Sequence, residues 1–153
     1  MERIIYHTPL GDMVLGSQND KLCLCSWTTD GAGQGADLTT ATVLAEACRQ
    51  LDEYFAGKRT SFQLPIEARG TAFQQRVWET LSNVPFGTTI SYSQLAAYIG
   101  NPNASRAVAQ ACHRNPIAII IPCHRVIGSN GRLTGYAGGI ERKLSLLDLE
   151  SAS

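Results

Sequence analysis

The chain has 153 residues and a formal net charge of +0, with 44% hydrophobic and 17% charged residues, a globular composition with room for one good core or two small ones. No apolar run approaches the roughly 18 residues of a membrane span, and the N-terminal "MERIIYHTPLG" lacks the charged-then-apolar pattern of a signal region. Five cysteines, an odd number, argue against a complete disulfide framework and point to a reducing, cytoplasmic compartment.

The first elements in chain order are strands. "RIIYHT" and "GDMVLGS" flank Pro9-Leu10-Gly11, and "KLCLCSW" follows the turn signal Gln18-Asn19-Asp20. "TDGAGQGAD" reads as a Gly-rich loop. Leu44, Ala47, Cys48, Leu51, Tyr54 and Phe55 keep helical spacing, and Gly57 is a natural stop. "SFQLPIEARG" is a short extended piece, and the domain boundary is expected where it ends, giving domains of residues 1–69 and 70–153.

The second part is helical. Thr71 to Gln74 is a capping box that opens a helix with Phe73, Val77, Trp78 and Leu81 facing inward. Ser91 to Gln94 is a second capping box, followed by Leu95, Tyr98, Ile99 and then Gly100. "NPN" is a tight connection offering Asn101 and Asn103 as N-caps. The next helix, "ASRAVAQACHR", must stop at Asn115-Pro116. Two short helices joined this way, the second bearing arginine, are the pattern of a helix-turn-helix. "IAIIIP" reads as a buried strand, "GSNGRLTGYAGG" as a loop, and "IERKLSLLDLE" as a last helix with Ile140, Leu144 and Leu147 inward. The expected fold is α/β: a small N-terminal α/β domain with an antiparallel sheet, then a mostly helical C-terminal domain.

Charge divides along the same line. Residues 1–69 carry six basic and nine acidic side chains, a net −3; residues 70–153 carry seven and four, a net +3. Between Gly70 and Val126 the only acid is Glu79, against Arg76, Arg106, Arg114 and Arg125. A polyanion is the partner such a half suits.

The tripeptide Cys-His-Arg occurs twice, at 112–114 and 123–125. Zinc ligands come in pairs with a few residues between them. Here each Cys adjoins its His, and neighbouring side chains diverge on strand and helix alike, so no metal site is expected. Cys112 falls on the apolar stripe Val108, Ala111, Cys112, in a last turn whose dipole disfavours a thiolate. It reads as a small buried hydrophobe. Cys123 follows an apolar run and a proline, at the entry to a Gly-rich loop. Spacing leaves it either a reactive thiol or a bystander. His124 and Arg125 beside it favour ionisation, but an extended backbone keeps His124 from bonding the adjacent thiol. A bridging water, with a distant carboxylate on the other imidazole nitrogen, satisfies that geometry.

"PCHRVIG" with "TGYAGG" downstream, and the ungapped stretch from "FQQRVWETL" to Glu150, closely resemble the O6-alkylguanine-DNA alkyltransferases, the methylated-DNA–protein-cysteine methyltransferases. The resemblance covers about residues 71–150, while residues 1–69 match only in size and style. It implies irreversible, stoichiometric transfer of an alkyl group from O6-alkylguanine, and also O4-alkylthymine, to Cys123, without a cofactor. By the same resemblance His124 is the water-linked general base and Glu150 orients it. Tyr92 donates a hydrogen bond to the guanine ring, and Asn115 pins the active-site turn. Arg106 is the finger that fills the duplex where the nucleotide was, with Ala104, Ser105, Ala107, Tyr92 and Arg125 also at the DNA. Tyr136, Ala137 and Ser129 belong to the base pocket, where the backbone at Cys123 and Val126 reads the edge of the base. The implied partner is double-stranded DNA carrying alkylated guanine, met through the minor groove by a monomer that is cytoplasmic, and nucleoid-associated in a prokaryote. Ala109 and Gln110 depart from the family's paired glycines, and Ala118 from a proline of some relatives. The rival readings are a helix-turn-helix regulator and a non-catalytic binder of alkylated DNA. Look-alikes of the second kind lack the thiol.

Overall fold

The computed structural model describes residues 1–28, 42–131 and 135–151. These form two compact units, Met1–Ala68 and Arg69–Ser153. The Gly-rich stretch 29–37 and part of the loop before Gly135 lie outside the described residues.

In the first unit, β1 (Glu2–Thr8), β2 (Gly11–Gln18) and β3 (Lys21–Trp27) form an antiparallel sheet in the order β1-β2-β3. Asn19 and Asp20 both take positive φ, which lets the β2–β3 turn close tightly. Alternation puts Ile4, Tyr6, Met13, Leu15, Cys23 and Cys25 in the interior. Helix α1 (Thr42–Phe55) covers that face with Val43, Leu44, Ala47, Leu51 and Tyr54. The extended piece after it adds an isolated parallel bridge, Ile66 to Leu22.

In the second unit, α2 (Ala72–Leu81) packs with α3 (Tyr92–Tyr98) and α4 (Ser105–His113). Both predicted capping boxes are present: Thr71 and Gln74 exchange side-chain and backbone hydrogen bonds, and so do Ser91 and Gln94. A Cβ at Gly70 would meet the Trp78 ring at 2.5 Å, so the chain enters α2 through a position only glycine fits. Trp78 Nε1 donates to the Ala111 carbonyl at 2.9 Å and ties α2 to α4. Tyr98 points outward, 76% exposed, while Leu95, Ala96 and Ile99 turn inward. Neither Asn101 nor Asn103 caps α4; its N-cap is Ala104, with no side-chain hydrogen bond.

Two further expectations are corrected. Residues 117–121 are a coiled turn, not a strand: Ile121 N–H donates back to Ile117 O at 3.0 Å, and Ile119 adopts φ 71°, rare for a β-branched residue. In α5 (Ile140–Ser151), Ile140 and Leu144 are half-exposed, and the buried residues are Lys143, Leu146 and Glu150. The helix is rotated from its apolar stripe because two of its inward positions carry charges. Finally β4 (Ile90–Ser91) pairs in parallel with β5 (Val126–Ile127). Among the described residues no helix is long and apolar enough to cross a membrane.

Candidate active site

Cys123, His124 and Arg125 form one short 3-10 turn between Pro122 and β5. The tight turn sends the three side chains to different surroundings. Cys123 faces a cavity of about 560 Å³ lined by Tyr92, by Ala109, Gln110, Cys112 and His113 of α4 with Arg114 just after it, and by Gly135 to Ala137. His124 and Arg125 turn away from it, toward α5.

Asn115 builds the turn that presents Cys123. Its Oδ1 accepts from Ile117 N–H at 2.9 Å, and its Nδ2 donates to Ile121 O at 2.8 Å and to Cys123 Sγ at 3.2 Å. One amide therefore holds both ends of the Ile117–Ile121 loop and gives the sulfur a donor. Burial pushes the Cys123 thiol above its ordinary pKa; the Asn115 hydrogen bond and the Lys143 ammonium pull the other way. Lys143 is fully buried, and its Nζ lies 5.9 Å from the Tyr92 ring centroid. Burial lowers the Lys143 pKa, and the nearby thiols of Cys123 and Cys112 counter that.

Behind the thiol lies a buried carboxylate with two partners. Glu150 Oε2 meets His124 Nε2 at 2.7 Å, and the Arg125 guanidinium donates to both Glu150 oxygens at 2.8 and 2.9 Å. Arg125 also donates to Val84 O at 2.7 Å and stacks over Phe86 at 5.8 Å. A fork on a carboxylate keeps it ionised. The Glu150 carboxylate can then only accept, so His124 Nε2 carries the proton and Nδ1 keeps its lone pair. Nδ1 is buried and has no protein hydrogen-bond partner among the described residues. Burial holds the His124 pKa down, against the opposing pull of Glu150, so the ring is neutral.

Tyr92, Cys123, Tyr136 and Ala137 share the cavity wall, with Asn115 on the turn and His124 and Glu150 paired behind it. Arg106 and Ala107 are exposed on α4, and Ala104 and Ser105 are half-buried at its start. Two residues are placed elsewhere. Ser129 is exposed beyond β5 and does not line the cavity, while Val126, expected to read the base edge with its backbone, has its side chain buried in β5. Arg125, expected at the DNA, is 6% exposed and committed to Glu150 and Val84. Sequence reasoning missed Lys143, whose only signal is a charge interrupting the α5 pattern. It also missed Cys112 as a cavity residue, although its spacing with Ala109 on α4 places both on adjoining turns. Among the described residues no three His, Cys, Asp or Glu side chains gather as a metal site.

Two compact units, one holding a buried thiol in the wall of a cavity beside an arginine-bearing helix pair, match a known class of protein over nearly the whole chain. Residues 72–152 match the family described as 6-O-methylguanine DNA methyltransferase, DNA binding domain, and residues 1–68 its ribonuclease-like domain. The chain belongs to the 6-O-methylguanine DNA methyltransferase family. Among relatives, the methylated-DNA–protein-cysteine methyltransferase of Mycobacterium leprae is 48% identical over 94% of this chain and 88% of its own. The constitutive one of Bacillus subtilis is 43% identical over 95% and 93%. The crystal structure of Mycobacterium tuberculosis OGT in complex with DNA superposes with a TM-score of 0.91 at 43% identity, covering 99% of this chain and 94% of that one.

Proposed function

We propose that this chain repairs DNA by drawing O6-alkylguanine out of the duplex into the 560 Å³ cavity and taking the alkyl group onto Cys123 Sγ. The observation that carries the reading is the buried Cys123 thiol in the cavity wall, held by Asn115 at 3.2 Å, with the His124–Glu150 pair directly behind its turn. An O6 substituent sits inside the base stack, so extrusion must precede chemistry. The exposed Arg106 on α4 is the side chain available to fill the gap, and contact through the minor groove suits such a wedge.

The geometry supports the following steps. Neutral His124, with Nε2–H on Glu150, has Nδ1 free to take the Cys123 proton through a water. The thiolate attacks the alkyl carbon. A sulfur–carbon bond forms, the carbon–O6 bond breaks, and its electron pair passes into the guanine ring. A hydrogen bond from the Tyr92 hydroxyl stabilises the charge developing there. The product is a thioether that thiol exchange cannot reverse, so each molecule acts once. O4-alkylthymine presents the same leaving oxygen and is a second substrate. Residues 70–153 carry DNA binding and transfer; residues 1–69 are a scaffold. The protein works as a monomer in the compartment that holds the chromosome.

The test is incubation with a duplex containing O6-methylguanine, followed by intact mass and peptide mapping. One methyl group on the peptide containing Cys123, and none on Cys123→Ser, is expected. Turnover beyond one equivalent, or DNA binding restricted to one sequence, would overturn the reading in favour of another catalyst or a regulator.

A further inference from the structure

The doubled tripeptide puts two thiols, not one, on the same cavity. Cys112 closes α4 and Cys123 opens the 3-10 turn; they are 6% and 5% exposed, and both line the 560 Å³ space. Asn115 links them, its backbone N–H on Cys112 O at 3.3 Å and its side chain on Cys123 Sγ at 3.2 Å. Both are free thiols. Burial raises the pKa of both thiols, most plainly that of Cys112, and the Lys143 ammonium opposes the rise at each, with the Asn115 hydrogen bond adding to that opposition at Cys123 alone. Cys23, Cys25 and Cys48 belong to the first unit and are no part of this cavity.

A thiolate that can attack an alkyl carbon can also attack a peroxide oxygen that reaches it. The cavity admits a molecule the size of hydrogen peroxide many times over. We propose that Cys112 and Cys123 form an oxidative modification site for hydroperoxides, in which Cys112 captures oxidised Cys123 as an intramolecular disulfide. This inference rests on the alkyl-transfer reading in one respect, that Cys123 ionises in its cavity.

The step balances. The Cys123 thiolate attacks one peroxide oxygen; the S–O bond forms, the O–O bond breaks, and hydroxide leaves and is protonated to water. The Cys112 sulfur then attacks the sulfenic sulfur. The S–S bond forms, the S–O bond breaks, and the departing hydroxide takes the Cys112 proton. Two thiols are oxidised by two electrons, one peroxide is reduced, and two waters result. The disulfide is opened again by thiol exchange, unlike either the thioether or a sulfinic acid. A protein that spends its nucleophile once thus keeps it from being spent on an oxidant.

The experiment treats the reduced full chain with hydrogen peroxide near neutral pH. It then reads non-reducing tryptic maps and alkyl transfer before and after dithiothreitol. Cleavage after Arg106, Arg114 and Arg125 separates the two thiols into peptides 107–114 and 115–125. The expected result is those two peptides joined, with transfer lost and then restored by dithiothreitol. In Cys112→Ser, or Cys112→Ala should serine unfold the chain, peroxide should leave sulfinic acid on Cys123 and a loss that dithiothreitol does not reverse. Sulfinic acid on wild-type Cys123 without the joined peptides overturns the proposal. So does a disulfide between Cys25 and Cys48 alone, or equal recovery in the Cys112 variants. Transfer by the untreated reduced chain reads the alkyl-transfer function separately. If it fails while the joined peptides form, only that function is overturned.

Discussion

Glu150 Oε2 lies 2.7 Å from His124 Nε2, and both side chains are essentially closed to solvent. The carboxylate also takes both arms of the Arg125 fork, so one acid neutralises a buried cation and fixes a tautomer.

Glu150→Gln should therefore do two kinds of damage. It leaves Arg125 buried without its counter-charge, which costs about 3–5 kcal/mol of stability. It also lets the His124 ring adopt the other tautomer and lose its base, slowing transfer by about 10²–10⁴-fold. Thermal melting and single-turnover transfer from an O6-methylguanine duplex measure the two effects on one sample. Melting unchanged would mean that Arg125 does not depend on Glu150.

The same burial makes stability depend on pH. The folded-state pKa of His124 lies below the ordinary value of 6.5. In the window beneath 6.5 the unfolded chain takes up a proton that the folded chain refuses. Stability due to this group is thus complete above about pH 6.5 and falls as pH drops toward the folded pKa. Melting temperatures from pH 8 to pH 5 should decline in the wild type and decline less in His124→Asn. Parallel curves for the two proteins would remove His124 as the source.

Arg106→Ala separates extrusion from chemistry. Arg106 is exposed at the start of α4 and does not line the cavity of the thiol, so its role falls while a nucleotide is leaving the stack. Unstacking costs a few kcal/mol, which corresponds to slowing by about two orders of magnitude on duplex substrate. Transfer from a free O6-alkylguanine base should stay at the wild-type rate. Equal slowing on both substrates would make Arg106 a structural residue.

Lys143→Met tests the buried ammonium. Its charge lowers the Cys123 pKa, so its removal should raise the pH at which the thiol ionises. One unit of such a rise is a roughly tenfold loss of thiolate at neutral pH. The pH profile of iodoacetamide inactivation reads the shift directly. A profile that does not move would show that the Lys143 charge does not act on the thiol.

The legible parts of the sequence were those with local causes. Thr71 with Gln74 and Ser91 with Gln94 announced two helix starts because a capping box closes within four residues. The strands β1 to β3 were legible because alternation and turn residues agree. What stayed hidden depends on contacts distant in sequence. The run from Ile117 to Ile121 has every β-branched cue of a strand, yet the side chain of Asn115 satisfies both of its ends and coils it. Helix α5 has an apolar stripe at Ile140, Leu144 and Leu147, yet it turns Lys143 and Glu150 inward, because Arg125 and His124 need the carboxylate more than the core needs Ile140 and Leu144. Arg125 looked like a DNA contact for the same reason: its partner is 25 positions away. The family motifs made the cysteine, its neighbours and Glu150 legible as a set, but not that Cys112 shares their cavity.

The two-residue ladder between β4 and β5 sets a limit on how this molecule can be lengthened. Ser91 of β4 runs straight into Tyr92, and Arg125 of the cysteine turn runs straight into Val126 of β5, with Ile90 opposite Val126. Tyr92 and Cys123 thus hang from opposite sides of one short clasp. An added residue after Ile127 falls in the exposed stretch Ser129 to Gly131 and leaves the clasp untouched. An added residue between Ser91 and Tyr92, or between Arg125 and Val126, shifts phenol against sulfur by a full residue length of about 3.3 Å. Length variation among natural or engineered versions of this chain should therefore collect after Ile127 and be absent from both junctions.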